Sequence, residues 1–119
     1  MHLVFVYGTL KRGGSNHAFL AGQEFIADAR TPPGFTLYVL DEYPGMVAEP
    51  SDSDGVTGEI WFVDGECLRQ LDLLEGIAEG LYERVSVPLV SPPAEGAVES
   101  YLYAQSVAGR RRLGSTWPV

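Results

Sequence analysis

The sequence has few of the residues that build metal centres and disulfide frameworks. Its 119 residues include one cysteine, Cys67, and two histidines, His2 and His17. A single cysteine forms no disulfide within the chain, and nothing in the sequence indicates an oxidising compartment. Because cysteine and histidine are so scarce, we expect no zinc site.

Positive charge and long apolar runs are also scarce. Lys and Arg number 8 against 16 Asp and Glu, which gives a formal net charge of −8. An acidic chain repels phosphate backbones and anionic lipids, so we expect neither nucleic acid nor membrane as a partner. No apolar run approaches the roughly 20 residues that span a bilayer, and the N-terminus does not resemble a signal peptide. We therefore expect a cytoplasmic protein.

Apolar residues make up 45% of the chain, which is enough for one core at this length. We therefore expect a single domain over residues 1–119. Gly and Pro separate short alternating or apolar segments that predict strands at 3–7, 23–30, 35–41, 57–63, 81–90 and 97–105. The segment 81–90 ends at Ser91-Pro92-Pro93, Pro44-Gly45 predicts a turn, and 49–55 predicts an exposed loop. Many short strands with one helix predict an α+β domain with a curled or barrel-like, mostly antiparallel sheet.

One amphipathic helix is expected in the second half of the chain. Asp64 is a suitable N-cap, and Gly76 is a suitable residue just past the C-terminus. Leu68 and Leu71 share a core-facing stripe, which Glu75 continues. Burial and the negative end of the helix dipole both disfavour a charged carboxylate there, so Glu75 is a candidate general acid or base. An exposed glutamate at the helix end is the equally supported alternative.

The first predicted strand runs into a glycine-rich segment that reads Tyr-Gly-Thr-Leu-Lys-Arg-Gly-Gly from Tyr7 to Gly14. Such a loop can present backbone N–H groups to an anion, because glycine places no side chain in the way. A strand followed by an ordinary turn is the alternative, and residue types alone favour it. The segment is a poor P-loop, because Gly14-Ser15 stands where Lys-Ser or Lys-Thr would be required.

Two motifs, in this order, resemble those of the gamma-glutamylcyclotransferase superfamily. The first is Tyr-Gly-Thr-Leu-Lys-Arg-Gly at 7–13, followed by Asn16-His17. The second is Leu-Asp-Leu-Leu-Glu-Gly at 71–76, followed by Tyr82-Glu83-Arg84. The loop sequence and Tyr43-Pro44 are similar to the gamma-glutamylamine cyclotransferase and AIG2-like subgroup. The resemblance covers the chain from residue 4 to about 103.

The resemblance implies a small twisted β-barrel with flanking helices. It also implies a reaction in which the free α-amino group of a γ-glutamyl compound attacks its own γ-carbonyl, releasing an amine and 5-oxoproline. It implies no metal or organic cofactor, and it makes a small γ-glutamyl molecule the expected partner. The catalytic glutamate of the family corresponds to Glu75. The substrate-binding loop of the family corresponds to Tyr7, Gly8, Thr9 and Leu10.

Four further residues near these motifs have expected roles. Tyr82 is expected to offer a phenolic hydrogen bond to the substrate. Tyr43 and Tyr103 either wall the pocket or pack in the core, and the core is the favoured interpretation. Arg84 is expected to pair with a carboxylate in a structural role.

Two alternatives to an enzyme remain. One is a module of the same fold that binds a small carboxylate without catalysis. Glu75 favours the enzyme over this module, because a carboxylate in the pocket would hinder the binding of an anion. The other is an interaction protein whose Arg110-Arg111-Arg112 tail contacts an acidic partner, although so short a charge run is typical of a solvated chain end.

Overall fold

A computed structural model describes residues 1–90, 93–94 and 97–119. Its strands are β1 (His2–Val6), β2 (Glu24–Arg30), β3 (Phe35–Val39), β4 (Pro44–Ala48), β5 (Thr57–Val63), β6 (Tyr82–Ser86), β7 (Leu89–Val90), β8 (Pro93–Ala94), β9 (Val98–Tyr103) and β10 (Arg111–Gly114). A short 3₁₀ helix (His17–Leu20) follows the glycine loop, and α1 (Gly65–Leu74) follows β5. Ser91 and Pro92, part of the predicted break after residue 90, lie outside the described residues.

One large sheet organises the fold around β1. Its strand order is β10–β3–β4–β9–β1–β5–β2, with β6 also paired to β9, while β7 and β8 pair with each other. β1 is antiparallel to β5 along its whole length and parallel to β9. The predicted α+β class is confirmed, with one α-helix and a mostly antiparallel sheet in the described part of the chain. The path of the sheet is open, because it ends at β10 and β2 instead of closing on itself.

The edge of β9 that faces β1 is shared between two parallel neighbours. β1 pairs there at Val98 and Glu99, and β4 pairs further along at Leu102. Tyr7 lies directly after β1, and its hydroxyl joins β9 to β4. The hydroxyl donates to the carbonyl of Tyr101 in β9 at 2.5 Å and accepts the N–H of Met46 in β4 at 3.2 Å. A side-chain hydroxyl thus supplies hydrogen bonds at the point where one neighbouring strand ends and the next begins.

The helix forms as the sequence predicts. The Asp64 side chain accepts the N–H of Cys67 at 2.7 Å, which caps the first turn. At the other end Gly76 has a φ of +66°, and Ile77 N–H donates to the carbonyl of Asp72, so the helix ends in a Schellman motif. Leu68 and Leu71 are buried in the core on the side of the sheet that α1 covers, with Val4, Val6, Leu10, Trp61 and Val63.

The prediction of a turn at Pro44-Gly45 is wrong, because both residues lie in β4. A Cβ on Gly45 would lie 2.8 Å from Cβ of Tyr103, so glycine is required there by the close approach of a neighbouring side chain. The predicted strand at 81–90 is divided into β6 and β7. None of the helices in the described ranges has the length and apolar character needed to cross a bilayer.

The arginine tail is exposed, as predicted for a solvated chain end, but it is also part of the large sheet. Arg111–Gly114 forms β10, which pairs with β3. Arg112 forms an ion pair of 2.7 Å with Asp52, whose side chain is 1% exposed. The 49–55 segment is therefore not simply an exposed loop, because Asp52 also accepts N–H groups of its own turn and ties the tail to it.

Candidate active site

The structure places all six predicted site residues around one cavity of about 200 Å³, which lies between the end of β1 and the end of α1. The predicted residues are Tyr7, Gly8, Thr9, Leu10, Glu75 and Tyr82. Leu10 and Leu71 belong to the same core cluster, and this shared core brings the glycine loop next to the C-terminal end of the helix. Two motifs more than 60 residues apart in the sequence thus face one space.

Glu75 is the C-cap residue of α1 and is partly buried. Its backbone N–H donates to the carbonyl of Leu71 at 2.9 Å, but its carboxylate forms no hydrogen bond with any described residue. Burial raises the pKa of Glu75 from its ordinary value of 4.5 to about 7. A carboxyl group with this pKa is divided between its two protonation states near neutral pH, so it can both take up and release a proton.

Four phenols line the cavity, and three of them already donate their protons to the protein. Tyr7 donates to the carbonyl of Tyr101, and Tyr82 donates to the carbonyl of Pro44 at 2.7 Å. Tyr101 donates to Asp72 Oδ1 at 2.8 Å. Burial raises the pKa of all three phenols, which keeps them neutral. Because their protons are engaged, these oxygens can offer a ligand only hydrogen-bond acceptors.

Removing the Tyr7 hydroxyl is expected to destabilise the fold. In Tyr7→Phe the N–H of Met46 and the carbonyl of Tyr101 lose their partner in a buried position. We expect the free energy of unfolding in urea to fall by about 2 kcal/mol. Tyr103→Phe is the matched control, because the Tyr103 hydroxyl bonds to no described residue while its ring packs on Tyr82. Equal losses in the two variants would contradict a specific role for the Tyr7 hydroxyl.

The glycine loop engages its carbonyls in hydrogen bonds and leaves three of its N–H groups without a partner among the described residues. The carbonyl of Gly8 accepts the N–H of Lys11 at 3.2 Å, and that of Thr9 accepts the N–H of Asn16 at 2.9 Å. The carbonyl of Leu10 accepts Nδ1–H of His17 at 2.9 Å. By contrast, no hydrogen bond between described residues uses the N–H of Gly8, Thr9 or Leu10. Three consecutive uncommitted N–H groups form a site suited to an anion.

The cations of the loop motif point away from the cavity. Lys11 Nζ donates to the carbonyl of Trp117 at 2.6 Å, and Arg12 pairs with Glu59 and Asp28. Among the described residues that line the cavity there is no Lys, Arg or His. A negatively charged ligand in the cavity would therefore be held by backbone N–H groups.

Gly8 is required by space and not by backbone conformation. Its φ does not lie in the left-handed region. A Cβ on Gly8 would lie 2.7 Å from Cγ and 2.9 Å from Cδ of Pro44. The loop and β4 therefore approach each other more closely than a side chain at this position allows.

Sequence reasoning missed part of the lining. Tyr101 and Pro44 line the cavity, and Asn16 both lines it and donates to Thr9 Oγ1 at 3.0 Å. The sequence carried a signal for Asn16, which directly follows the first motif, and for Pro44, which belongs to the Tyr43-Pro44 pair, but none for Tyr101. Tyr43 also lines the cavity, whereas Tyr103 is not among the lining residues.

Two further expectations concern residues near the cavity. The pairing expected of Arg84 is confirmed, since it lies 3.0 Å from Asp72 and 2.8 Å from Glu99. The part of the chain that the structure describes contains no group of three or more His, Cys, Asp and Glu residues arranged to hold a metal ion.

Comparisons with known proteins identify the family of this chain. The model of the family described as gamma-glutamyl cyclotransferase, AIG2-like, matches residues 4–118. A putative gamma-glutamylcyclotransferase of Vibrio cholerae is 45% identical over 76 residues, which are 64% of this chain and 64% of that protein. The aligned segment therefore spans just under two thirds of this relative.

Two mammalian proteins are similar over more of the chain. A gamma-glutamylaminecyclotransferase of Homo sapiens is 36% identical over 123 aligned positions, which cover 89% of this chain and 80% of that protein. The crystal structure of an AIG2-like protein from Mus musculus superposes with a TM-score of 0.71 at 32% identity, covering 89% of this chain and 78% of that one. Because the family model matches nearly the whole sequence and the fold is shared with this mouse protein, the chain belongs to the gamma-glutamyl cyclotransferase, AIG2-like family.

Proposed function

We propose that this protein is a cyclotransferase that converts a γ-glutamyl amine or γ-glutamyl amino acid into 5-oxoproline and a free amine. One domain over residues 1–119 carries the activity, and the substrate is its small-molecule partner. The observation that supports the proposal is one cavity that combines a carboxyl group of pKa about 7 with three uncommitted backbone N–H groups. The first suits proton transfer at neutral pH, and the second suits an anion.

The substrate binds through its two charged groups. Its α-carboxylate accepts N–H groups of Gly8, Thr9 and Leu10, because no cationic side chain lines the cavity among the described residues. Its α-ammonium lies between the Glu75 carboxylate and the phenol oxygen of Tyr82, which has lone pairs to accept from it. This arrangement folds the substrate so that the α-nitrogen approaches the γ-carbonyl carbon.

Glu75 acts first as a base and then as an acid. Its carboxylate takes one proton from the α-ammonium, and the free amine attacks the γ-carbonyl carbon to close a five-membered ring. The resulting tetrahedral intermediate collapses as the C–N bond to the leaving amine breaks. Glu75 returns its proton to the departing nitrogen as this bond breaks, so the carboxylate is regenerated. The ring nitrogen still carries a second proton, which it releases to give the neutral lactam, and the free amine takes up this proton to leave as an ammonium. Ring closure is intramolecular, and holding the folded substrate supplies much of the acceleration.

The leaving amine is the less defined part of the substrate. Candidates are γ-glutamyl-ε-lysine, γ-glutamyl amino acids and γ-glutamyl-protected biosynthetic intermediates. The human relative is named a gamma-glutamylaminecyclotransferase, which favours an amine leaving group in this chain as well. We expect glutathione to be a poorer substrate than γ-glutamyl amines.

The test is release of 5-oxoproline from a panel of γ-glutamyl amines, γ-glutamyl dipeptides and glutathione. We expect product from γ-glutamyl amines, with kcat/KM falling on the acid side around pH 7. The sign follows from the pKa of about 7 at Glu75, because below that value the base is protonated and cannot accept the α-ammonium proton. A folded protein that binds panel members and releases no product would support the carboxylate-binding module instead.

A further inference from the structure

We infer that Glu59 is a positioning residue, which holds the anion-binding N–H groups of residues 8–10 in place from the far side of the loop. This inference rests on the proposed function for its effect on substrate. Its structural part, the ordering of the loop by Glu59, can be tested without any substrate.

Glu59 is a buried acceptor at the base of the loop. It lies in β5 opposite Val6, the last residue of β1, and only 6% of it is exposed. Its Oε1 accepts the backbone N–H of Arg12 at 3.1 Å and Nε1–H of Trp61 at 3.0 Å. Its Oε2 accepts Nε–H of Arg12 at 3.1 Å. One carboxylate therefore fixes both the main chain and the side chain of Arg12.

Two outer contacts complete the hold on Arg12. Its guanidinium carbon lies 3.9 Å from the centre of the Phe25 ring, and its Nη2 donates to Asp28 at 2.7 Å. The Asp28 side chain is 79% exposed, and an exposed ion pair contributes little to stability. Glu59 is therefore the buried partner that fixes Arg12, and Asp28 is an exposed partner that contributes little.

The turn between Gly8 and Gly14 is closed by internal hydrogen bonds and close backbone contacts, so Arg12 cannot move without moving the rest of the turn. Lys11 N–H donates to the carbonyl of Gly8, and Gly14 N–H donates to the carbonyl of Lys11 at 2.8 Å. A Cβ on Gly14 would lie 2.2 Å from the carbonyl oxygen of Thr9, so the two ends of the turn are in contact. A displacement of Arg12 is therefore passed to residues 8–10, which line the cavity.

A charged group suits this role better than an apolar one. An apolar side chain of similar size could be as stable in a buried site, but it would not fix the direction of three N–H donors. Burial alone would raise the pKa of Glu59, but the hydrogen bonds from Trp61 and Arg12 hold it below its ordinary value. The carboxylate therefore stays ionised over the range in which Glu75 changes its charge.

The kinetic test compares Glu59→Gln with Asp52→Asn. Asp52 is also a buried carboxylate with several hydrogen bonds, but its partners lie in its own turn, at Gly34 and in β10. We expect Glu59→Gln to raise KM about tenfold with kcat within about twofold, because the carboxylate of the substrate is bound in the ground state and the transition state alike. The acid limb of the pH profile should keep its midpoint. Asp52→Asn should lower the urea midpoint and leave KM unchanged.

The second readout is amide hydrogen exchange at Lys11, Gly14 and Asn16, whose N–H groups are protected by the loop itself. We expect faster exchange at these three positions in Glu59→Gln, but not in Asp52→Asn or Asp28→Asn. Unchanged exchange and unchanged KM in Glu59→Gln would overturn the inference. Absence of product from the wild type would instead count against the proposed function, and exchange alone would then decide whether Glu59 orders the loop.

Discussion

Replacing Glu75 with glutamine is expected to lower kcat for 5-oxoproline release by about a thousandfold and, above neutral pH, to stabilise the fold. The kinetic part follows from the proposed double role of the carboxylate, because an amide neither accepts the α-ammonium proton nor returns one to the leaving amine. General acid and base catalysis contributes about 10²- to 10⁴-fold in enzymes. KM should also rise, because the α-ammonium loses its charged partner, although the N–H groups of the loop still bind the α-carboxylate.

The stability part follows from the same burial. The pKa of Glu75 rises from 4.5 in the unfolded chain to about 7 in the folded one, so the folded state loses stability as pH rises from 4.5 to 7. A shift of this size corresponds to about 3 kcal/mol. We expect Glu75→Gln to raise the free energy of unfolding by about 2 kcal/mol at about pH 8.5 and by almost nothing at about pH 4, where the carboxyl group is neutral in both states.

The matched control is Glu79→Gln, which removes an exposed carboxylate a few residues further along the chain. We expect it to change neither kcat nor the dependence of stability on pH. Urea unfolding at both pH values, beside initial rates of product release, checks the two parts together. Wild-type activity in Glu75→Gln would contradict the assignment of Glu75 as the base. A loss of activity together with lower stability at both pH values would instead indicate misfolding.

Placing a methyl group on Gly8 is expected to lower kcat/KM about a hundredfold. The added Cβ would lie 2.7 Å from a ring carbon of Pro44, and the proline ring has no rotamer with which to move aside. Either the loop or the start of β4 must shift, and both line the cavity. A displacement of about 1 Å in a binding group can cost about 10²-fold in rate. Initial rates of product release at several substrate concentrations measure the loss.

The chain offers both a control and a rescue for this variant. Gly65→Ala adds the same methyl group in open space at the start of α1, so we expect unchanged activity and equal or slightly higher stability. Pro44→Ala removes the two ring carbons that the new Cβ would meet, and it keeps the carbonyl that accepts the Tyr82 hydroxyl. The double variant of Gly8→Ala and Pro44→Ala should regain most of the lost activity. No recovery would mean that another contact of Gly8 is decisive.

The elements that the sequence predicted well are those governed by neighbouring residues. The helix begins at the Asp64 cap and ends before Gly76, because capping groups and the leucine stripe act within a few residues. The same stripe placed Glu75 beside the core, and its pKa of about 7 agrees with the predicted opposition to ionisation. Of the two causes predicted, burial is the one to which the structure attributes the raised pKa.

The features that could not be predicted depend on contacts between distant segments. Pro44-Gly45 has the composition of a turn, but both residues pair with β3, and the close approach of the distant Tyr103 side chain explains the glycine. The arginine tail has the composition of a solvated end, but Asp52, 60 positions earlier, accepts a hydrogen bond from the guanidinium group of Arg112. The hydroxyl groups of Tyr7 and Tyr82 likewise donate to carbonyls far away in the sequence, so local composition does not show that their protons are engaged.

The position of β1 between β5 and β9 has a consequence for synthesis on the ribosome. β1 emerges first, but it gains its antiparallel partner only with β5 and its parallel partner only with β9, about 95 positions later. Only then can the Tyr7 hydroxyl, directly after β1, form its hydrogen bonds to β9 and β4. Contacts so distant in sequence form slowly, because a long loop must close first. A nascent chain that already contains both motifs therefore has no assembled cavity until β9 has left the exit tunnel.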